Sequence, residues 1–215
     1  MGLQLDQVTL SVLGRVLIRG LSAQVDAGQV LAVMGPSGSG KSSLLAFVAG
    51  TLEAPFEAQG RVRLHGEDVT AWPVERRRIG LLFQDDLLFP HLTVGENLLF
   101  GVGRGSLKKR QHLVAEALAS AQLDGLENRM PDTLSNGQKS RVALFRALMA
   151  KPQTMLLDEP FSKLDAELRH TIRNYVFAHL RERNIPTLLV THDGEDAPAG
   201  GRIFRINSKG ELLLA

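Results

Sequence analysis

The chain has 215 residues, of which 44% are hydrophobic and 22% charged, with a formal net charge of +2. That balance suits one sizeable core and excludes a general electrostatic attraction to nucleic acid or to a membrane surface. With no cysteine there is no disulfide framework and no thiolate metal site.

The opening residues, Met1 to Asp6, lack a basic segment followed by an apolar one, so no signal peptide is expected. No run of about 18 apolar residues suggests a membrane span. Strand-like segments come first: Val8 to Leu10, Val16 to Ile18 and Val30 to Met34, with Gly14, Gly20 and Gly28 between them. After the third comes Gly35-Pro36-Ser37-Gly38-Ser39-Gly40-Lys41-Ser42-Ser43, and then the apolar, breaker-free stretch Leu44 to Ala49. A strand, a glycine-rich turn and a helix in that order form a phosphate cradle. Gly35, Gly40, Lys41 and Ser42 meet the pattern G-x-x-x-x-G-K-[ST]. Glycines let successive N–H groups point at phosphate oxygens, and the helix adds the positive end of its dipole. Lys41 suits the β- and γ-phosphates, and the Ser42 hydroxyl suits Mg²⁺.

Gly60 to Leu64 and Ile79 to Phe83 read as further strands, and the basic runs Arg76-Arg77-Arg78 and Lys108-Lys109-Arg110 as solvated faces. Residues 105–123 carry Leu107, Leu113, Ala117, Leu118 and Ala121 at helical spacing, and a second helical stretch runs from Ser135 to Ala150. Thr154 to Leu157 is compact and apolar, which suits a buried parallel strand, and it ends in Asp158-Glu159. Asp158 suits Mg²⁺, directly or through water, and Glu159 suits orienting or deprotonating the attacking water. Pro186 to Val190 reads as another buried strand, and Ile203 to Ile206 as a late edge strand. The expected organisation is a single domain over residues 1–215. Its α/β core occupies residues 1–85 and 150–215, and a mainly helical insertion lies near 86–149.

With Leu134-Ser135-Asn136-Gly137-Gln138 added, the chain resembles the ATP-binding subunit of an ABC transporter, whose signature reads L-S-G-G-Q. The glutamine loop is similar to Leu82-Phe83-Gln84-Asp85-Asp86, the D-loop to Ser162-Lys163-Leu164-Asp165, and the switch histidine to Thr191-His192-Asp193. The resemblance implies a P-loop NTPase of the ABC ATPase type: a mixed sheet core, an antiparallel β subdomain and an inserted α-helical subdomain. It implies a Mg²⁺-dependent ATPase in which two copies pair head to tail and sandwich ATP. Residues 35–43 of one copy would face Ser135, Gly137 and Gln138 of the other. Gln84 would sense the metal and water, His192 would reach the γ-phosphate beside Glu159, and Asp165 would contact the partner near its P-loop.

The segment F-Q-x-x-x-L-F-P-H-L-T-V-x-E-N-L at 83–98 is similar to importers of small polar solutes such as thiamine, sulfate, molybdate, iron or polyamines. The resemblance therefore implies integral-membrane permease subunits, a groove for them that includes Leu88, Phe89 and Leu92, and an extracytoplasmic solute-binding protein. It places the subunit at the cytoplasmic face of the membrane, with no nucleic-acid partner. The alternative within the family is a motor for a non-transport membrane complex, in cell division or lipoprotein release.

Three departures stand out. The family's adenine-stacking aromatic is missing, leaving Leu13 or Val12 as an apolar platform. Lost stacking is worth about 0.5–1.5 kcal/mol and predicts some use of GTP. Asn136 replaces a glycine, and its tolerance of left-handed dihedrals is expected to keep the turn. Lys163 stands where a small residue is common; it is expected to point into water, with the neighbouring subunit as its other destination.

Overall fold

The computed structural model describes residues 2–207 and 209–214. Packing divides the chain into two compact units: Met1–Leu81 with Gln153–Glu159 and Phe177–Ala215, and Leu82–Pro152 with Pro160–Val176. Packing thus groups Pro160–Val176 with the helical segment, whereas the sequence reading counted those residues with the core.

In the first unit, β1 (Leu3–Val12) and β2 (Arg15–Val25) form a hairpin. Leu13 (φ 49°) and Gly14 (φ 78°) make the two-residue turn, the left-handed pair that matches strand twist. β3 (Val30–Met34) leads through the glycine-rich turn into α1 (Lys41–Ala49). β4 (Phe56–Leu64) and β5 (Glu67–Asp68) complete an antiparallel sheet of order β2-β1-β4-β5. Next come the short α2 (Val74–Arg77) and β6 (Ile79–Leu82).

Arg77 corrects the expectation of a solvated basic face. It is buried, and its guanidinium donates to the carbonyls of Phe47, Val48, Thr70 and Trp72. The first two belong to the last turn of α1, where a helix leaves carbonyls unsatisfied. Arg76 lies over the Trp72 ring, 4.1 Å from its centroid.

The helices α3 (Val94–Gly101), α4 (Leu107–Ser120) and α5 (Asn136–Met149) belong to the second unit. Thr93 and Glu96 close a capping box on α3, and Ser106 caps α4. Buried Val94, Leu98, Leu118, Val142, Phe145 and Leu148 form apolar faces. Arg141 of α5 is buried too, and it donates to the carbonyls of Ala121 and Gln122 just past α4.

β7 (Thr154–Asp158), α6 (Ala166–Glu182), β8 (Thr187–Thr191), β9 (Arg202–Ile206) and β10 (Leu212–Leu214) follow. A six-stranded sheet runs in the order β10-β9-β3-β8-β7-β6. β9, β3, β8 and β7 pair in parallel and β10 pairs antiparallel to β9. Every residue of β7 and β8 is buried, which is why both read as continuous apolar runs. β9 is not an edge strand: β10, a segment the sequence reading passed over, takes the edge and covers it. Leu31, Val33, Leu156, Leu188 and Val190 of this sheet share one core with Leu44, Leu45 and Val48 of α1 and with Leu5, Leu10 and Ile18 of the antiparallel sheet.

Candidate nucleotide and hydrolysis site

The carboxyl ends of β3, β8 and β7 are neighbours, and each carries a predicted residue. β3 runs into the loop Gly35–Gly40, β8 ends beside His192, and β7 ends at Asp158 with Glu159 next. Gly38 (φ 75°) and Gly40 (φ 95°) take left-handed dihedrals that bend the loop. A Cβ at Gly40 would also come within 2.9 Å of the Leu17 Cβ, so this glycine lets the loop lie on β2. α1 starts at Lys41, with its N-terminal amides turned toward the loop.

Lys41 is buried, and its Nζ donates to the carbonyls of Gly35 (2.8 Å) and Pro36 (3.0 Å). The ammonium therefore sits over the mouth of its own loop. Ser39 Oγ is buried with no hydrogen-bond partner, an orphaned polar atom inside the cradle. An anion held by the loop amides would satisfy both groups, so the residues present fit a phosphate chain.

Asp158 is buried beside Ser42, Glu159 and Lys41. Burial pushes its carboxyl above the usual 3.8. A hydrogen bond from the Ser42 hydroxyl opposes that, Glu159 adds to the rise, and Lys41 lowers it. Ser42 and Asp158, the two predicted metal ligands of this unit, are thus in contact. Among the described residues no group of three His, Asp or Glu side chains forms a ready-made metal cage. The oxygen donors of Ser42 and Asp158 fit Mg²⁺, which takes one or two protein ligands and completes its shell with phosphate and water.

Glu159 continues the ladder, its N–H donating to Val190 O at 2.9 Å, and then turns the chain with φ 48°. A non-glycine residue held there is strained, and strain of this kind clusters at active sites. Its Oε2 lies 2.8 Å from His192 Nδ1, a hydrogen bond that needs the proton on Nδ1. The carboxylate is 14% exposed and the imidazole 59%, so the pair stands at a surface with the acid on its inner side. Leu13, the proposed adenine platform, is 85% exposed at the hairpin tip.

The remaining predicted residues belong to the second unit. Ser135 is the N-cap of α5: its hydroxyl accepts from Gln138 N (3.3 Å), while Gln138 Oε1 accepts from Ser135 N (2.8 Å). Gln138 thus holds the cap, a duty the sequence reading did not give it. Asn136 is the first residue of α5 and is not at positive φ, so no left-handed tolerance is needed there, contrary to expectation. Gly137 is the constrained position. A Cβ there would lie 3.0 Å from Lys163 O and 3.6 Å from Leu164 Cδ2.

Asp165 accepts from Leu168 N at 3.0 Å and so caps α6. Gln84 is exposed just beyond β6. Lys163 does not simply point into water as expected: its Nζ donates to Gln84 O (2.9 Å) and Asp86 Oδ1 (3.1 Å).

Two anchors escaped the sequence reading. Fully buried Asn97 accepts from Phe89 N and donates to the carbonyls of Phe89, Leu92 and Thr93. Arg146 of α5 donates to Leu87 O (2.8 Å) and to Asn97 Oδ1 (3.2 Å), with its guanidinium 5.0 Å from the Phe89 ring centroid. The clue to Asn97 was its place in an amphipathic helix, four residues after a capping threonine.

A family profile described as ABC transporter matches residues 18–162. The chain is 43% identical over 190 residues to the uncharacterized ABC transporter ATP-binding protein YnjD of Escherichia coli K12, covering 87% of each. It is 40% identical over 215 residues to the Fe(3+) ions import ATP-binding protein FbpC of the same organism, spanning 98% of this chain and 60% of that one. It is 43% identical over 198 residues to the sulfate/thiosulfate import ATP-binding protein CysA of Synechococcus elongatus, covering 91% of this chain and 57% of that one. Among solved structures, the dimeric post-hydrolysis state of the ATP-binding cassette MJ0796 bound to ADP and Pi superimposes with a TM-score of 0.83. That match is at 30% identity and covers 98% of this chain and 96% of that one. The phosphate cradle, the paired carboxylates and the capped signature segment stand on a chain whose sequence and fold both match, and the chain belongs to the ABC transporter ATP-binding family.

Proposed function

We propose that the chain is the ATP-hydrolysing motor subunit of a solute importer, acting on a separate membrane permease. One observation carries the chemistry. Three adjacent parallel strands end in the phosphate loop, in His192 and in Asp158-Glu159, with Ser42 bonded to Asp158 and His192 to Glu159. In open α/β sheets, ligands bind beyond the carboxyl ends of the strands.

Lys41 leaves its own carbonyls for the β- and γ-phosphates, and the loop amides take the remaining oxygens. Ser42 and Asp158 would hold Mg²⁺, which would supply positive charge against the phosphate chain. Glu159 accepts the proton of the attacking water as the new P–O bond forms and the bond to ADP breaks. His192 holds the Glu159 carboxylate on the side from which water arrives. Ser135, at the N-terminus of α5 in a second copy, faces the γ-phosphate across a head-to-tail interface.

The import reading is supported by the relatives named as iron and sulfate import ATP-binding proteins. It brings with it permease subunits, a solute-binding protein and a peripheral place at the cytoplasmic face. No described helix is long and apolar enough to cross a membrane.

Glu159→Gln tests the motor. Turnover of Mg-ATP is expected to fall by about 10²-fold or more, and ATP is expected to hold a stable dimer in size-exclusion chromatography with light scattering. Retained turnover, or no ATP-dependent dimer, rejects the reading.

A further inference from the structure

We infer that Lys163 is a positioning residue that ties the Gln84 loop to the signature helix α5, so that the two are held in one geometry during hydrolysis. The inference rests on the motor reading above. Its parts all lie in the second unit. The Lys163 ammonium donates to Gln84 O at 2.9 Å and pairs with Asp86 at 3.1 Å. The Asp86 side chain is 15% exposed and that of Lys163 30%, so the pair lies at a partly covered surface. Such a charge-assisted bond holds position better than a pair in open solvent.

The backbone of the same residue faces α5. Its carbonyl is the atom that a Cβ at Gly137 would meet at 3.0 Å. One residue therefore holds the carbonyl of the proposed metal- and water-sensing glutamine by its side chain. By its main chain it abuts the first turn of the helix that Ser135 caps. Arg146 grips the same loop farther along, through Leu87 O. The Gln84–Leu87 stretch is thereby pinned by one cation from α5 and one from the Asp165 loop. A small residue at 163 would leave only the Arg146 contact, and the Gln84 backbone would be free to drift.

The groups the Lys163 ammonium holds, Gln84 O and Asp86, belong to the glutamine loop, to which no phosphate contact is assigned, so its loss is expected in kcat and not in nucleotide affinity. Lys163→Met in the full chain should lower kcat for Mg-ATP by about 3- to 10-fold, with KM and the Kd of a fluorescent ATP analogue unchanged. Lys163→Arg should restore most of kcat. Asp86→Asn should lower kcat by a comparable factor, and the double variant should be no worse than either single one. Wild-type kcat in Lys163→Met, a parallel rise in KM, or multiplicative effects in the double variant overturn the inference. If Lys163→Met does not fold, Asp86→Asn and Lys163→Arg decide by the same criteria. Absence of ATP hydrolysis by the wild-type chain would reject the motor reading itself, a different result from a silent Lys163.

Discussion

Asp158 sits at the end of a wholly buried strand, where burial raises its carboxyl above 3.8 against the pull of Ser42 and Lys41. A carboxyl raised by folding binds more protons in the native than in the unfolded chain. Its contribution to stability is therefore full below the unfolded value and declines as pH rises through the folded one. In the nucleotide-free protein, Asp158→Asn should be more stable than wild type near neutrality. The difference in melting temperature should shrink to nothing as pH falls toward 4, while Mg-ATP turnover is lost at every pH. Thermal scans across that range check it; a difference that grows toward acid contradicts it. Saturating Mg²⁺ with nucleotide should narrow the gap, because the cation restores a partner to the ionised carboxylate. The residue's place at a strand end was legible from the apolar run before it. Ser42 was placed near it only through the metal assigned to both; their direct hydrogen bond follows from the order of strands in the sheet.

At the scale of elements, Ser135 is the structural cap of α5 and is also proposed to face the γ-phosphate, and the two duties can be separated. Aspartate caps helices about as well as serine. Ser135→Asp should therefore keep the thermal stability within about 0.5 kcal/mol, while its negative charge opposes the γ-phosphate and turnover collapses. Ser135→Ala should lose both, with about 0.5–2 kcal/mol of stability gone. Equal activity of Ser135→Asp and wild type would remove Ser135 from the phosphate site. The helix α5 was readable from its L-S-x-G-Q start and apolar spacing. Helix α6 was not singled out, although buried Ile172, Val176 and Leu180 recur at helical spacing. Its polar residues and the lack of any breaker or cap motif beyond Asp165 hid the start. Arg77 read as surface charge because the carbonyls it satisfies include those of another segment, the end of α1.

For the whole molecule, nucleotide should stabilise only what it touches. The phosphate loop, Asp158 and His192 all lie in the first unit, so ATP at 100 times its Kd should add about 2.7 kcal/mol to the transition that includes that unit. For domains of this size that is a rise of roughly 5–10 °C. Calorimetry with ATP and EDTA, in which chelation of the divalent cation prevents turnover, checks this. Lys41→Ala should remove most of the shift; an undiminished shift would place the nucleotide elsewhere.

The sequence by itself determined the order of the motifs, the strand–loop–helix cradle and the paired carboxylates, because each depends on residues adjacent along the chain. Buried parallel strands also announce themselves, since both faces must be apolar. Only the tertiary structure decided that β10 and not β9 forms the edge, that Arg77 is buried, that Asn136 is helical while Gly137 carries the close approach, and that Lys163 grips the Gln84 loop. Those outcomes depend on which carbonyls and carboxylates fold brings within about 3 Å of a given side chain, and separation along the chain carries no record of that.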